Sequence, residues 1–275
     1  MYLKFAHANI DFEGISEGGI RTSISIPRYS LLFDIGGIPH EKIHMENVLV
    51  THGHLDHAAG IPYYISQRSL QKLKAPNIYV NEAMYENTKK IIELYSEIEG
   101  FSYNYNLIST PTNKEFSLTA NTFFKAYQTT HRIPSQGYTI FEKVKKIKSE
   151  YASLSSAEIV QLKSKGENLT EEKSLPLVSF SGDTQIEYVL EHKDVRESKI
   201  LFLECTYVDD DRNVERARAW GHTHLDEIMA HAKEFKNEKI VLIHFSKRYK
   251  HSYIKDMIRK KTPESLKGRI HCFLP

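Results

Sequence analysis

The sequence predicts a layered α/β protein, and three observations carry that prediction. Short apolar strands alternate with helical stretches, each strand runs into a polar signature, and no linker, low-complexity tract or clean repeat divides the 275 residues. Strands are predicted at 30–33, 47–50, 123–127, 177–180, 199–203 and 239–243. They lead respectively into Asp34-Ile35-Gly36-Gly37, a histidine run, Thr130-His131, Ser181-Gly182-Asp183-Thr184, Glu204-Cys205-Thr206-Tyr207 and His244-Phe245-Ser246. Helices are predicted over 81–99, 155–165, 225–235 and 252–260. The first places Met84, Thr88, Ile91, Ile92 and Tyr95 at helical spacing, which reads as a core face. Ser155-Ser156-Ala157-Glu158 has the form of a capped helix start. Paired strand-rich halves are possible, but one domain over 1–275 is the simpler organisation. In a layered α/β fold, strand ends on one edge converge on one cleft, so residues far apart in the chain are expected in a single site.

Composition narrows the class. Hydrophobic residues make up 40% and charged residues 26%, ordinary for a soluble globular protein. No apolar run approaches the roughly 18 residues that span a bilayer, so no membrane role is expected. The start, Met1-Tyr2-Leu3-Lys4-Phe5-Ala6-His7, lacks a signal-peptide apolar core, which points to the cytoplasm. Cys205 and Cys272 cannot make a disulfide framework and read as buried thiols. A net charge of +2 is no magnet for nucleic acid, so any such role must rest on local patches.

The most informative segment is Thr51-His52-Gly53-His54-Leu55-Asp56-His57, an H-x-H-x-D-H run on the loop that leaves the 47–50 strand. Three imidazoles and a carboxylate supply neutral nitrogen and anionic oxygen donors, a set that suits zinc. On a loop, successive side chains can fan out towards two metals. A polar turn with idle histidines is the bland alternative, and four ligand-type residues at this spacing argue against it.

The ordered set Asp34, H-x-H-x-D-H, His131, Asp183 and His244 resembles the metallo-β-lactamase superfamily of binuclear metallohydrolases. Three further segments are similar to ribonuclease Z, the endonuclease family that trims the 3′ ends of precursor transfer RNAs. They are Thr129-Thr130-His131-Arg132-Ile133-Pro134-Ser135-Gln136-Gly137-Tyr138; Glu204-Cys205-Thr206-Tyr207 with Gly221-His222-Thr223-His224; and His244-Phe245-Ser246-Lys247-Arg248-Tyr249. The likeness covers nearly the whole chain and is strongest to the short plant and cyanobacterial form.

That resemblance implies an αββα metallo-β-lactamase sandwich with two Zn²⁺ per chain. His52, His54 and His131 would hold one ion, and Asp56, His57 and His244 the other, with Asp183 bridging. Asp34 would accept hydrogen bonds from the histidine loop rather than bind metal. A metal-activated hydroxide would attack the phosphodiester, with Asp56 as proton acceptor. His222 would protonate the leaving 3′ oxygen, kept charged by Glu204; a purely structural Glu204–His222 pair is the alternative. His224 and Asp226 mimic the metal motif but read as a helix start. His7, His251 and His271 have no partner pattern.

The function so implied is a cytoplasmic, homodimeric, zinc-dependent endoribonuclease that cuts precursor transfer RNA past the discriminator base. It would leave a 3′ hydroxyl on the RNA and a 5′ phosphate on the trailer. A small-molecule phosphodiesterase or other binuclear metallohydrolase is the first alternative, and a non-catalytic RNA-binding protein the second. The family's Gly- and Pro-rich RNA-gripping arm has no counterpart run here. Between His131 and Asp183 the chain instead carries Lys143, Lys145, Lys146, Lys148, Lys163 and Lys165. The first four are the favoured RNA contacts, ahead of a second cluster at Arg68, Lys72 and Lys74.

Overall fold

A computed structural model describes residues 2–37 and 40–275. Strands β1 (Leu3–His7), β2 (Ile10–Glu17), β3 (Arg21–Ile26), β4 (Leu31–Phe33), β5 (Asn47–Leu49), β6 (Asn77–Val80) and β7 (Asn106–Ser109) form one seven-stranded sheet in sequence order. Strands β8 (Glu115–Ser117), β9 (Thr122–Gln128), β10 (Gln136–Ile147), β11 (Thr170–Phe180), β12 (Ile200–Glu204), β13 (Lys239–Ile243) and β14 (Ile270–Cys272) form a second, also in sequence order. Both sheets repeat one plan. In each, the first four strands pair antiparallel and the last three add in parallel. The halves are thus paired in architecture, although the sequence shows no repeat.

The helices are α1 (Leu55–Ala58), α2 (Ile61–Leu70), α3 (Glu82–Glu99), α4 (Ser156–Ser164), α5 (Glu187–Glu191), α6 (Lys193–Glu197), α7 (Val214–Ala219), α8 (Leu225–Ala230) and α9 (His251–Lys261). Three cores stack the layers. Between the sheets lie Phe12, Ile24, Phe33, Phe180 and Phe202, with Phe33 and Phe180 stacked 4.6 Å apart. Ile61, Ile65 and Ile92 pack α2 and α3 on the outer face of the first sheet. Val189, Leu225, Ile228, Ile254 and Ile258 pack the second sheet's helices on its outer face. The order helix, sheet, sheet, helix is the αββα sandwich.

The predicted strands recur at their expected places, and Ser155 caps α4 in a full capping box with Glu158. Three expectations fail, the first being the helix predicted over 225–235, which ends at Ala230 and gives way to a turn. The stripe on α3 is only partly core: Thr88 and Ile92 are buried, but Ile91 and Tyr95 are about half exposed. An amphipathic stripe wider than the sheet contact spills onto the side of the helix. There it lines a groove of about 550 Å³ with Leu55, Ala59 and Pro62. The second basic cluster also loses its arginine, although Lys72 and Lys74 stay at the surface. Arg68 is buried, and its guanidinium donates to the carbonyls of Ile43, Met45 and Lys74. Three of its donors are spent on tying a loop in place, and the buried side chain is withdrawn from any phosphate at the surface.

The favoured lysines sit on a projection. Pairing of β10 with β9 stops at Glu142, whereas pairing with β11 continues to Ile147 opposite Thr170. A two-stranded ribbon therefore leaves the second sheet, with α4 at its far end. Glutamates partly balance it: Glu172 lies opposite Lys145, Glu171 opposite Lys146, and Glu172 also approaches Lys143 at 3.7 Å.

Candidate metal centre

Parallel strands end on one edge, and their ends supply the site. Asp34 follows β4, His52 follows β5 after three residues, Asp183 follows β11, Glu204 closes β12 and His244 follows β13. His131 comes from the β9–β10 loop. Asp34 (φ 56°) and His244 (φ 60°) both adopt left-handed backbone, unfavourable for side chains with a Cβ. Such strain persists where the surroundings impose it, and both residues are buried among hydrogen bonds.

Two sets of donor atoms meet across Asp183. In the first, His52 Nε2 lies 3.0 Å from His54 Nδ1, and His131 Nε2 lies 3.3 Å from the same atom. Asp183 Oδ2 stands 3.7 Å from His52 Nε2 and 3.9 Å from His131 Nε2. In the second, His57 Nε2 and His244 Nε2 are 3.2 Å apart, and Asp56 Oδ2 is 3.5 and 3.3 Å from them. Asp183 Oδ1 lies 3.3 Å from each of those two nitrogens. Each set could hold a metal ion.

The donors fit divalent cations. Asp183 Oδ1 is buried with no hydrogen-bond partner, a costly arrangement unless a cation meets it. Imidazole lone pairs likewise face each other at distances that need something positive between them. Burial, and then the neighbouring rings, holds His52 well below its usual pKa; burial also lowers His54 and His131. Burial would raise Asp183, but the charges of His244 and His57 overrule it and hold the carboxyl well down. Burial opposes charge on His57, yet Asp183 and Asp34 outweigh it and lift that ring well above normal. The first donor set is thus held as neutral imidazoles and Asp183 as a carboxylate, the ligand forms metals need, while the carboxylates around His57 favour a positive charge at that position.

Among the described residues, the outward ring nitrogens are all anchored except that of His54. His57 Nδ1 donates to Asp34 Oδ2 at 2.7 Å, and His131 Nδ1 donates to the Gly221 carbonyl at 2.7 Å. Two threonines act as relays. His52 Nδ1 donates to the Thr51 hydroxyl, which donates to Asp34; His244 Nδ1 donates to the Thr206 hydroxyl, which donates to Glu204. Asp34 thus does hold the histidine loop. Gly221 (φ 73°) presses on His131: a Cβ there would sit 2.8 Å from its Nδ1. The motifs in the sequence do not mark the threonine relays; a hydroxyl residue next to a ligand or carboxylate at a strand end is the signal that does. Thr206→Val should lower divalent-metal affinity about 10- to 100-fold with the fold intact. Competition with a chromogenic chelator measures this, and unchanged affinity would remove the relay.

Glu204 and His222 meet beside this centre. His222 Nδ1 donates to Glu204 Oε1 at 2.9 Å, and the fully buried Glu204 also accepts from the Thr184 and Thr206 amides. Burial opposes charge on His222, but the Glu204 carboxylate overrules it and lifts the ring to about 9. With Nδ1 committed, Nε2 is the nitrogen left for a substrate. His224 and Asp226, by contrast, belong to the start of α8. His224 caps it, accepting from the Asp226 amide, and Asp226 lies in the first turn, paired with Lys261 at 2.8 Å.

This fold and this centre are those of a metallo-β-lactamase-type protein, and residues 38–245 match the model of the beta-lactamase superfamily domain. The human short-form tRNase Z superposes with a TM-score of 0.60 at 19% identity, covering 86% of this chain and 93% of that one. YhfI of Bacillus subtilis, a metallo-beta-lactamase fold protein, gives 0.64 at 15% identity over 94% and 93%. Both likenesses show the fold. In sequence, the chain is 37% identical to tRNase Z TRZ1 of Arabidopsis thaliana over 94% of its own length and 92% of the relative's. It is 34% identical to the chloroplastic tRNase Z TRZ2 of the same plant, over 90% and 71%. The chain belongs to the ribonuclease Z family.

Proposed function

We propose that the protein is a zinc-dependent endoribonuclease that removes the 3′ trailer from precursor transfer RNA. The observation that carries the reading is His222, held by Glu204 at 2.9 Å beside the paired donor sets, in a chain of this family. A 3′ alkoxide departing from a phosphodiester needs a proton, whereas a thioester releases a thiolate that does not.

His52, His54 and His131 are assigned to one zinc, Asp56, His57 and His244 to the other, and Asp183 to both. The imidazole-rich donor set supports zinc. When bound, the ions supply an activated water and neutralise charge on the phosphoryl oxygens. Asp56, held by the Gly19 amide at 2.9 Å, accepts the proton that the attacking water loses. His222 gives its proton to the departing 3′ oxygen, and Glu204 stabilises the imidazolium until it does.

The chain is read as one domain over 1–275, supported by an inter-sheet core drawn from both halves. No described helix is long and apolar enough to cross a membrane. A homodimer is part of the reading, since Leu55, Ile91, Leu94, Tyr95 and Ile98 expose an apolar stripe that a partner would cover. The cytoplasm is the proposed compartment; two free cysteines suit a reducing one.

Incubation with precursor transfer RNA beside bis-nitrophenyl phosphate tests the substrate. The RNA should have the far higher kcat/KM, and a preference for the small diester would favour the alternative hydrolase. Replacing Lys143, Lys145, Lys146 and Lys148 together by Gln should weaken RNA cleavage and flatten its log–log salt slope by at most about 3. The cross-strand glutamates set that ceiling low. A slope unchanged from 50 to 200 mM salt (about the range where phosphate contacts are lost) would make the ribbon a solvated face.

A further inference from the structure

Trp220 is the single tryptophan of the chain, and it is about half exposed at the rim of the metal centre. It ends α7, and the next residue, Gly221, receives the His131 Nδ1 hydrogen bond through its carbonyl. Two residues on stands His222. Across from the indole lies Arg132, next in sequence to His131, with its guanidinium carbon 4.6 Å from the centre of the indole ring. Two segments that each carry a residue of the centre thus also present a flat cation and a flat aromatic to solvent. No ion pair holds Arg132 among the described residues, so its planar face stays free of a carboxylate.

An exposed indole leaves apolar area in water that burial in the core would remove. Its position supplies a reason. Unpaired nucleotides at an RNA 3′ end have bare π faces, which proteins hold by stacking on aromatic rings and on arginine planes. The scissile phosphate must also be presented in line with its nucleophile, which demands that the flanking nucleotide be held.

We propose that Trp220 and Arg132 form a stacking platform for the base on the 5′ side of the scissile phosphate. This rests on the reading above. That nucleotide carries the 3′ oxygen which His222 protonates, and Trp220 lies on the His222 side of the centre. Stacking tolerates every base but strengthens with ring area, so the platform makes cleavage permissive at that position with a preference for purines. Arg132 keeps the indole in one orientation through the cation–π contact and adds its own face.

The single tryptophan makes the test direct. The metal-loaded full chain is titrated with transfer RNA that ends at the discriminator nucleotide, carrying either a purine or an abasic residue there. Binding is followed independently by the anisotropy of a label on the far end of the RNA. Tryptophan emission should be quenched by the purine-ended RNA and not by the abasic one at equal occupancy. In cleavage assays Trp220→Ala should raise KM for precursor transfer RNA about ten-fold or more, within the range expected for one stacked base, while kcat falls far less. Trp220→Phe should recover most of the loss, and Arg132→Ala should fall between. The proposal is overturned if the wild type cuts precursor transfer RNA while its emission ignores bound RNA and Trp220→Ala keeps its KM. If the wild type does not cut precursor transfer RNA at all, the proposed function fails first and takes the platform with it.

Discussion

Asp183→Ala should lose at least one divalent ion per chain and reduce hydrolysis of RNA and of small diesters to near background. Among the described residues, the carboxylate is the only group whose two oxygens face both donor sets, at 3.7 Å from His52 on one side and 3.3 Å from His57 and His244 on the other. Without it, two concentrations of positive charge would have no anion between them. Metal catalysis is worth several kcal/mol of transition-state stabilisation, so a fall of about a thousand-fold or more is expected. Asp183→Asn keeps the shape without the charge and should fail in the same way. Circular dichroism separates this from unfolding. Full activity with one metal per chain would end the binuclear account.

The acid should reveal itself through the leaving group. A 3′ alkoxide departs poorly without a proton, whereas nitrophenolate leaves unaided. His222→Ala should therefore lose about 10²- to 10⁴-fold on precursor transfer RNA, the usual worth of a positioned acid. It should lose far less on bis-nitrophenyl phosphate. Asp56→Ala should lose both activities, because it removes a donor of the second set as well as the base. Glu204→Gln should track His222→Ala, since a neutral amide no longer holds the ring near 9 as the carboxylate does. Equal losses on both substrates for His222→Ala would withdraw its role.

Much of this site can be read from the sequence because its parts are local signatures at strand ends. The H-x-H-x-D-H run announces itself, and Asp183, Glu204 and His244 each follow an apolar strand. The sequence points to Asp34 as an acceptor of hydrogen bonds from the histidine loop, and it accepts from the Thr51 amide and from His57. What stayed hidden depends on the third dimension. Arg68 reads as one more surface cation until its burial beneath the carbonyls of Ile43, Met45 and Lys74 is seen. The half-exposed Ile91 and Tyr95 follow the same helical period as the buried Thr88 and Ile92, since periodicity gives a stripe but not how much of it a sheet covers. The pairing of Arg132 with Trp220 joins residues too far apart in the chain for any local pattern to link them. The lysines of the ribbon were plain, but not the register that sets Glu171 and Glu172 opposite two of them.

An activated water, and not the RNA's own 2′ hydroxyl, is proposed to cut precursor transfer RNA at the end of its acceptor stem. The chemistry of the cut ends decides this most directly. A precursor labelled at both ends is incubated with the metal-loaded protein, and the products are mapped to the nucleotide and probed for their termini. One cut just past the discriminator base is expected, with a 3′ hydroxyl on the RNA and a 5′ phosphate on the trailer. Chelation should abolish the cut and added zinc restore it. A 2′,3′-cyclic phosphate, scattered cleavage, or a cut that survives chelation would contradict it.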